Sequence, residues 1–273
     1  MAGPPEFRGF SDVDRTGRAG VYADYLDHVR GLEAVAEWKE RSFDALAPRP
    51  GAVLLDVGCG TGEDVRTLAR RVAPGGRAIG MDASEGMVAE ARRRAAEAGE
   101  GAVEFIRSDV RSLALPDAAV DGCRAERVLQ HVDEPAEAIA EMARVVRPGG
   151  RVVAAEPDWG TLVIDSGDPA AAAEVAAAAG RRLNSGHVGR SLRRLFAEAG
   201  LADVIAVART LVVTDRPRAD MLFDLPGGAR QAVEDGRLAA DRASAWLDEL
   251  ASADAEGTLL VAMTAFMAVG RAP

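Results

Sequence analysis

The apolar positions follow one rhythm between residues 50 and 157. Short runs without polar interruption, "AVLLDV", "RAIGMD", "VEFIRSD", "VDGCRAERVLQ" and "GGRVVAAEP", are separated by stretches whose apolar residues recur every three or four positions. The runs are the length of strands buried on both faces, and the periodic stretches are amphipathic helices. One helix is predicted from about Glu63 to Val72. A second is "SEGMVAEARRRAAEAG", with Met87, Val88 and Ala91 on one side and Gly99 as its C-terminal cap. A third is "DEPAEAIAEMARVVR", with Pro135 in its first turn and Ile139, Met142, Ala143 and Val146 at helical spacing. Pro148 followed by Gly149 suits a type II turn into the fifth strand. Strands alternating with helices imply a parallel sheet covered on both faces.

The flanks read differently. Residues 1–18 are polar, carry Gly and Pro, and are expected to be a mobile lead-in. Residues 19–46 read as two helices, with Leu32, Val35, Trp38 and Phe43 as the apolar stripe of the second. After the fifth strand, residues 160–200 are expected to be helical, including the alanine-rich "AAAAEVAAAAG". "ADVIAVARTLVVTD" reads as a strand, residues 217–253 as more helix, and "TLLVAMTAFMAVGRAP" as a closing strand. The arginine pairs at 92–94, 181–182 and 193–194 read as solvated helix faces. These boundaries suggest an N-terminal helical cap (1–48), a nucleotide-type core (49–158), and helical insertions with closing strands of the same domain (159–273).

Composition narrows the partners. The chain has 273 residues, 48% hydrophobic, and a formal net charge of −10. No basic patch or aromatic platform stands out, so a nucleic-acid partner is not expected. No apolar run reaches membrane-spanning length, and the N-terminus has no apolar signal-like region, so neither a membrane nor a secretory route is expected. The two cysteines, Cys59 and Cys123, are far apart and fit a reducing cytoplasm better than a disulfide or a metal site.

The chemistry concentrates in "VLLDVGCGTGEDV". Gly58, Gly60 and Gly62 follow a strand and precede a helix, so a ligand can approach bare backbone at a helix N-terminus. The spacing is G-x-G-x-G, and Glu63 stands at the third glycine position of a dinucleotide loop, where it would repel a pyrophosphate. The loop therefore suits a nucleoside with a less anionic tail. Asp82 ends the second strand 20 residues after Gly62, about where an acid meets ribose hydroxyls. Asp56 and Asp109 end the first and third strands.

"LLDVGCGTG", "GMDAS", "RSDV", "AERVLQHV" and "VRPGGRVVAAEP" occur in the order found in class I S-adenosylmethionine-dependent methyltransferases, and the set resembles their small-molecule branch, which includes the ubiquinone/menaquinone C-methyltransferases and natural-product tailoring enzymes. The resemblance covers residues 50–157. It implies an α/β Rossmann-like three-layer sandwich, with a seven-stranded sheet in the order 3-2-1-4-5-7-6, strand 7 antiparallel, and helical lids. It places Gly58, Cys59 and Gly60 against the methionine part of S-adenosyl-L-methionine, Asp82 on the ribose, and Ala83 and Met87 beside the adenine. Asp109 and Val110 would read the adenine edge. Backbone at Ala125 or Glu126 would meet the methionyl amine, with Arg127 and Gln130 nearby.

A base is optional, because alignment alone supplies much of the acceleration in methyl transfer. The histidines are the candidates for one. His131 follows the fourth strand at the crevice, where packing or helix capping is the alternative role. His28 lies in the N-terminal helices and His187 in the segment that builds the substrate pocket in the family. Tyr22 and Tyr25 share a helical face and could close over the methionyl end, Tyr25 toward cofactor and Tyr22 toward acceptor. Gln130 and Trp159 are further candidates for the acceptor wall, and Glu156 and Asp158 follow the fifth strand beside them. The expected activity is methylation of a small organic acceptor, oxygen favoured over carbon or nitrogen. The alternative is a protein of this fold that holds the cofactor while catalysing cyclisation or rearrangement.

Overall fold

Both leucines of "VLLDV" are buried, one on each face of the sheet, as a strand covered by helices on both sides requires. The structure, a computed structural model, describes residues 7–273. The five predicted runs form parallel strands β1 (Val53–Val57), β2 (Arg77–Asp82), β3 (Val103–Arg107), β4 (Val120–Glu126) and β5 (Val146–Pro157). After them come β6 (Val163–Ile164), β7 (Ala202–Val213) and β8 (Val261–Arg271). The sheet order is β3-β2-β1-β4-β5-β8-β7, with β8 antiparallel to both neighbours. That is the expected seven-stranded pattern with one addition: β6 pairs Val163 and Ile164 with Ala262 and Val261 of β8.

The helices are α1 (Val13–Thr16), α2 (Ala19–Arg30), α3 (Glu33–Ala45), α4 (Glu63–Arg71), α5 (Glu85–Glu97), α6 (Pro135–Val145), α7 (Pro169–Arg181), α8 (Val188–Glu198), α9 (Arg216–Phe223), α10 (Leu225–Glu234) and α11 (Ala240–Ala255). Trp38 and Phe43 of α3, with apolar residues of α4 and α5, pack on one face through Leu54 and Val153. Ile139 and Met142 of α6 and Leu192 and Phe196 of α8 pack on the other through Leu55 and Val152. Trp159, Leu162 and Ile164 join α7 and α9–α11 in a separate core around Trp246, beyond the carboxyl end of β5.

Two expectations change. Residues 7–16 are ordered helix rather than a mobile lead-in: a 3-10 turn over Phe7–Asp12 runs into α1. Apolar contact holds them, since the Phe10 ring lies edge-on to Tyr22 at 4.7 Å and Val13 is buried against Met87. The expectation for residues 1–6 lies outside the described residues. Arg182 is not on a solvated face; it is buried and paired with Asp224 at 2.5 Å.

Candidate active site

The turn after β1 cannot be built from other residues. Gly58 and Gly62 adopt φ of +66° and +78°, in the left-handed region. A Cβ at 58 would lie 2.3 Å from the Val128 side chain, and one at 62 would lie 2.6 Å from Phe105. The bare turn lets the Gly60 N–H reach Asp82 Oδ2 at 2.9 Å, while Asp82 Oδ1 accepts from Ser84 N at 2.9 Å. Burial pushes the Asp82 carboxyl above the ordinary range, against those two bonds. Each oxygen keeps further acceptor capacity on the side that faces a cavity.

That cavity, about 420 Å³, opens along the carboxyl ends of the strands. At one end it is lined by Gly58, Gly60, Asp82, Ala83, Met87, Asp109 and Val110. At the other it is lined by Trp159, Leu183, Leu211, Leu222, Phe223 and Met263. Between them lie Tyr25, Glu126, Arg127, Gln130, His131, Glu156 and Arg209. Phe10 roofs the middle, its ring 5.5 Å from that of Tyr25 and 5.3 Å from that of His131.

Most of the residues singled out in the sequence therefore border one space, but His28, His187, Tyr22 and Cys59 do not. His28 is exposed, because the cavity face of α2 carries Tyr25, Leu26 and Val29 and the helical turn sends residue 28 outward. His187 is exposed where α8 begins. Tyr22 is buried with Val13 and Met87 and serves as packing under Phe10. The Cys59 thiol is buried below the turn, pushed up in pKa by that burial, and lines only a minor cleft beneath it.

Other candidates reach the cavity in altered form. Asp109 forms a two-point pair with Arg111, Oδ2 to Nη2 at 2.7 Å and Oδ1 to Nε at 3.1 Å, which holds its carboxyl below the usual range. Gln130 Oε1 accepts from Trp159 Nε1 at 2.8 Å, so the two are locked together in the wall. Asp158 is buried, chelated by Arg190, and fixes the start of α8. His131 is pushed down to about 3, first by burial and then by the charge of Arg127, so its imidazole is neutral at ordinary pH.

Two features were not anticipated. Under the glycine turn lies a buried charge cluster. Arg124 donates to Asp56 at 2.6 Å, to Ser42 at 2.8 Å and to Glu126, and lies 3.1 Å from Asp64. Lys39 bridges Asp64 at 2.6 Å and Glu126 at 2.9 Å. Burial raises the Glu126 carboxyl, but Lys39 and Arg124 outweigh it and hold the group below its usual value. Asp56 thus belongs to this foundation. An arginine inside the apolar strand β4, in register with Asp56 on β1, was the signal that could have revealed it.

The second feature is a set of idle polar atoms. Arg127 Nε, His131 Nδ1, Glu156 Oε2 and Arg209 Nη1 are buried without a hydrogen-bond partner, Arg127 Nε lying 3.7 Å from Glu126 Oε1, and all four side chains line the cavity. Glu156 Oε1 accepts from the backbone of Val128 and Leu129 at 2.8 Å each, the Gln130 N–H also faces the carboxylate, and Oε2 makes no hydrogen bond of ordinary geometry. Burial pushes Glu156 up to about 7 despite those bonds. Native proteins rarely leave such atoms unmet, so they mark where a ligand or ordered water completes the site.

Comparison with known proteins agrees with this geometry. Residues 55–154 match a family model described as a methyltransferase domain. The chain is 42% identical over 253 residues, 91% of its length and 70% of the other's, to a Streptomyces fradiae protein called "Uncharacterized 37.1 kDa protein in transposon TN4556". It is 36% identical over 134 residues to nocamycin O-methyltransferase of Saccharothrix syringae, covering 49% of this chain and 46% of that one. Among solved structures, the [4+2]-cyclase SpnF matches over 99% of both chains with a TM-score of 0.58 and 22% identity, a likeness of fold. The chain belongs to the class I S-adenosylmethionine-dependent methyltransferases. Its cofactor is S-adenosyl-L-methionine. It spans about half the length of the named methyltransferases it matches. No helix among the described residues is long and apolar enough to cross a membrane.

Proposed function

We propose that the protein transfers a methyl group from S-adenosyl-L-methionine to a small organic acceptor, with oxygen favoured as the acceptor atom, in the manner of a natural-product tailoring enzyme. One observation carries this reading: a single cavity joins the glycine turn and Asp82 to an apolar chamber walled by Trp159, Leu183 and Phe223. The residues present fit the cofactor. Asp82 would accept from the ribose hydroxyls, Ala83, Met87 and Val110 would flank the adenine, and Asp109 would face its edge. Glu126 would meet the methionyl amine and the Arg127 Nε–H the carboxylate. The cofactor, when bound, supplies an electrophilic methyl on a sulfonium.

The protein's own part is alignment and proton handling. The apolar chamber excludes water and orients the acceptor. Glu156 Oε2, on a carboxyl raised to about 7 and without a hydrogen bond of its own, would accept a hydroxyl proton. His131 is a weaker base and, stacked beside Phe10, serves as wall. Core, N-terminal cap and later helices are thereby assigned to cofactor, roof and acceptor chamber.

A second reading, cyclisation or rearrangement with the cofactor held in place, is favoured by the full-length fold match to SpnF. The test is calorimetry with S-adenosylhomocysteine on the native protein and Asp82→Ala, followed by turnover with a phenol panel. The substitution removes charge-assisted hydrogen bonds of roughly 1.5–3 kcal/mol each, so affinity is expected to fall at least tenfold. Methylated product with S-adenosylhomocysteine supports transfer; product of unchanged mass supports the second reading. An affinity unmoved in Asp82→Ala would overturn the assignment of the nucleoside end.

A further inference from the structure

We infer that Arg209 is the anchor for an anionic group on the acceptor, and that the acceptor is a monocarboxylate with an apolar body. The inference rests on the proposed function and names its substrate class.

Arg209 projects from β7. Its register partner on β8 is Ala265, and Ala265 in turn faces Pro157 of β5, so the three form one row across the sheet and all line the cavity. Leu211 and Met263 form the adjacent row on the same face. Arg209 therefore stands over a floor of small and apolar side chains. The guanidinium has five N–H donors. One nitrogen, Nη2, pairs with Glu37 Oε2 of α3 at 2.5 Å; Nη1 is buried and has no partner. Leaving a buried charged donor unmet is unfavourable, and an anion in the cavity removes that cost.

The strand order says which ligand supplies the anion. The nucleoside end is built on β1, β2 and β3, whereas β7 lies at the opposite edge of the sheet, four strands from β1. At about 4.8 Å per strand that is roughly 19 Å. Arg127, on the loop directly after β4, stands much nearer the glycine turn and is the cation available to the cofactor's own carboxylate. Arg209 is left for the acceptor. One buried idle nitrogen beside the Glu37 carboxylate suits a monoanion better than a dianionic phosphate, and the surrounding Leu211, Leu222, Phe223 and Trp38 suit a weakly hydrated carbon skeleton.

The experiment uses the protein saturated with S-adenosylhomocysteine and three probes, benzoate, cinnamate and octanoate, each beside its methyl ester, with binding read by calorimetry. At least one acid is expected to bind more tightly than its ester. Arg209→Gln is expected to weaken that acid about tenfold or more and leave the ester unchanged, the range for losing one hydrogen bond to a charged group. Glu37→Gln is expected to tighten the acid several-fold, because it removes the competing carboxylate. An ion pair that only holds α3 to β7 predicts the opposite: both substitutions act alike on both probes. Should Arg209→Gln fail to fold, Arg209→Lys, expected to keep part of the acid preference, and Glu37→Gln carry the test. No binding of any acid, equal binding of acid and ester, or like effects of the two substitutions overturns the inference. Failure of S-adenosylhomocysteine itself to bind overturns the underlying functional reading instead.

Discussion

The two ends of the cavity treat buried charge in opposite ways. Beneath the glycine turn, Arg124 and Lys39 are surrounded by Asp56, Asp64 and Glu126, and the pairs close to within 2.6–3.1 Å. Toward the acceptor chamber, Glu156 and Arg209 each keep a buried atom with no partner. A satisfied buried network defines a rigid shape, whereas an unsatisfied one is tolerated only where something else completes it. The contrast separates framework from recognition: the foundation beneath the turn is satisfied before any ligand arrives, and the cavity wall that carries Glu156 and Arg209 is not.

The largest effect expected from this contrast follows from breaking the finished side. Arg124→Met leaves Asp56 buried without its ion-pair partner, and leaves Asp64 and Glu126 to Lys39 with help from Arg30 and Arg127 at the edge of the cluster. Removing one partner of a buried ion set typically costs about 3–5 kcal/mol. The denaturant midpoint is expected to fall accordingly, and S-adenosylhomocysteine affinity with it, because the turn rests on this cluster. A loss below about 1 kcal/mol by urea titration would mean that the cluster does not carry the turn.

The same division explains what could be read from the sequence. The turn, Asp82 and the strand alternation were legible because each is a local demand: positive φ needs glycine, and an acid at a strand's end points into the crevice. Arg124 was not, since its meaning depends on Asp56 one strand away. Arg209 was invisible for the same reason: its partner Glu37 and its neighbours on β8 are remote in sequence and meet only through the antiparallel closing strands. His28 and His187 were misread because scarcity of histidine says nothing about helix phase; α2 turns Tyr25, Leu26 and Val29 to the cavity and residue 28 to solvent. Residues 7–16 were misread because Phe10 and Val13 are two apolar side chains in a polar stretch, too few to show a period, yet both find a place on α2 and α5.

A smaller effect is expected from the unfinished side, and its sign differs. Glu156 titrates at about 7 in the folded protein against 4.5 ordinarily, so between those values the folded state holds a proton that the unfolded state has released. The contribution of Glu156 to stability then falls as pH rises from 4.5 to 7 and stays reduced above it, by about 3 kcal/mol at full extent, while the opposite contribution of His131 is common to native protein and variant. Glu156→Gln keeps the shape and abolishes this term, so it is expected to match the native protein near pH 4.5 and exceed it at pH 8. Asp56, raised in the same direction to about 6, remains in both proteins and cancels in the difference. Urea midpoints across pH check this. A variant less stable than native at pH 8 would mean that Oε2 has a partner after all, and the division between the two ends would lose its clearest member.

The smallest effect concerns the roof over the cavity. Asp14 accepts from Ser84 Oγ at 2.6 Å, Glu85 N at 2.9 Å and Gly86 N at 3.1 Å, capping α5 from outside its own chain segment. The bond from Ser84 is the main reason its carboxyl lies below the usual range, so the tether is intact at neutral pH and is lost only in acid. It holds down the turn that carries Phe10 over His131 and Val13 over Met87, one contact at the middle of the cavity and one at its glycine-turn end. Asp14→Ala removes a cap worth about 1 kcal/mol. Hydrogen exchange at residues 10–16 is expected to quicken and S-adenosylhomocysteine affinity to fall less than tenfold, while exchange in β1 and β4 stays unchanged. Because Phe10 also roofs the middle of the cavity, affinity for an acceptor probe should fall by a similar factor. If only the cofactor responded, the roof would belong to the finished side alone, and the acceptor chamber would have to close by movement of α9 and α10.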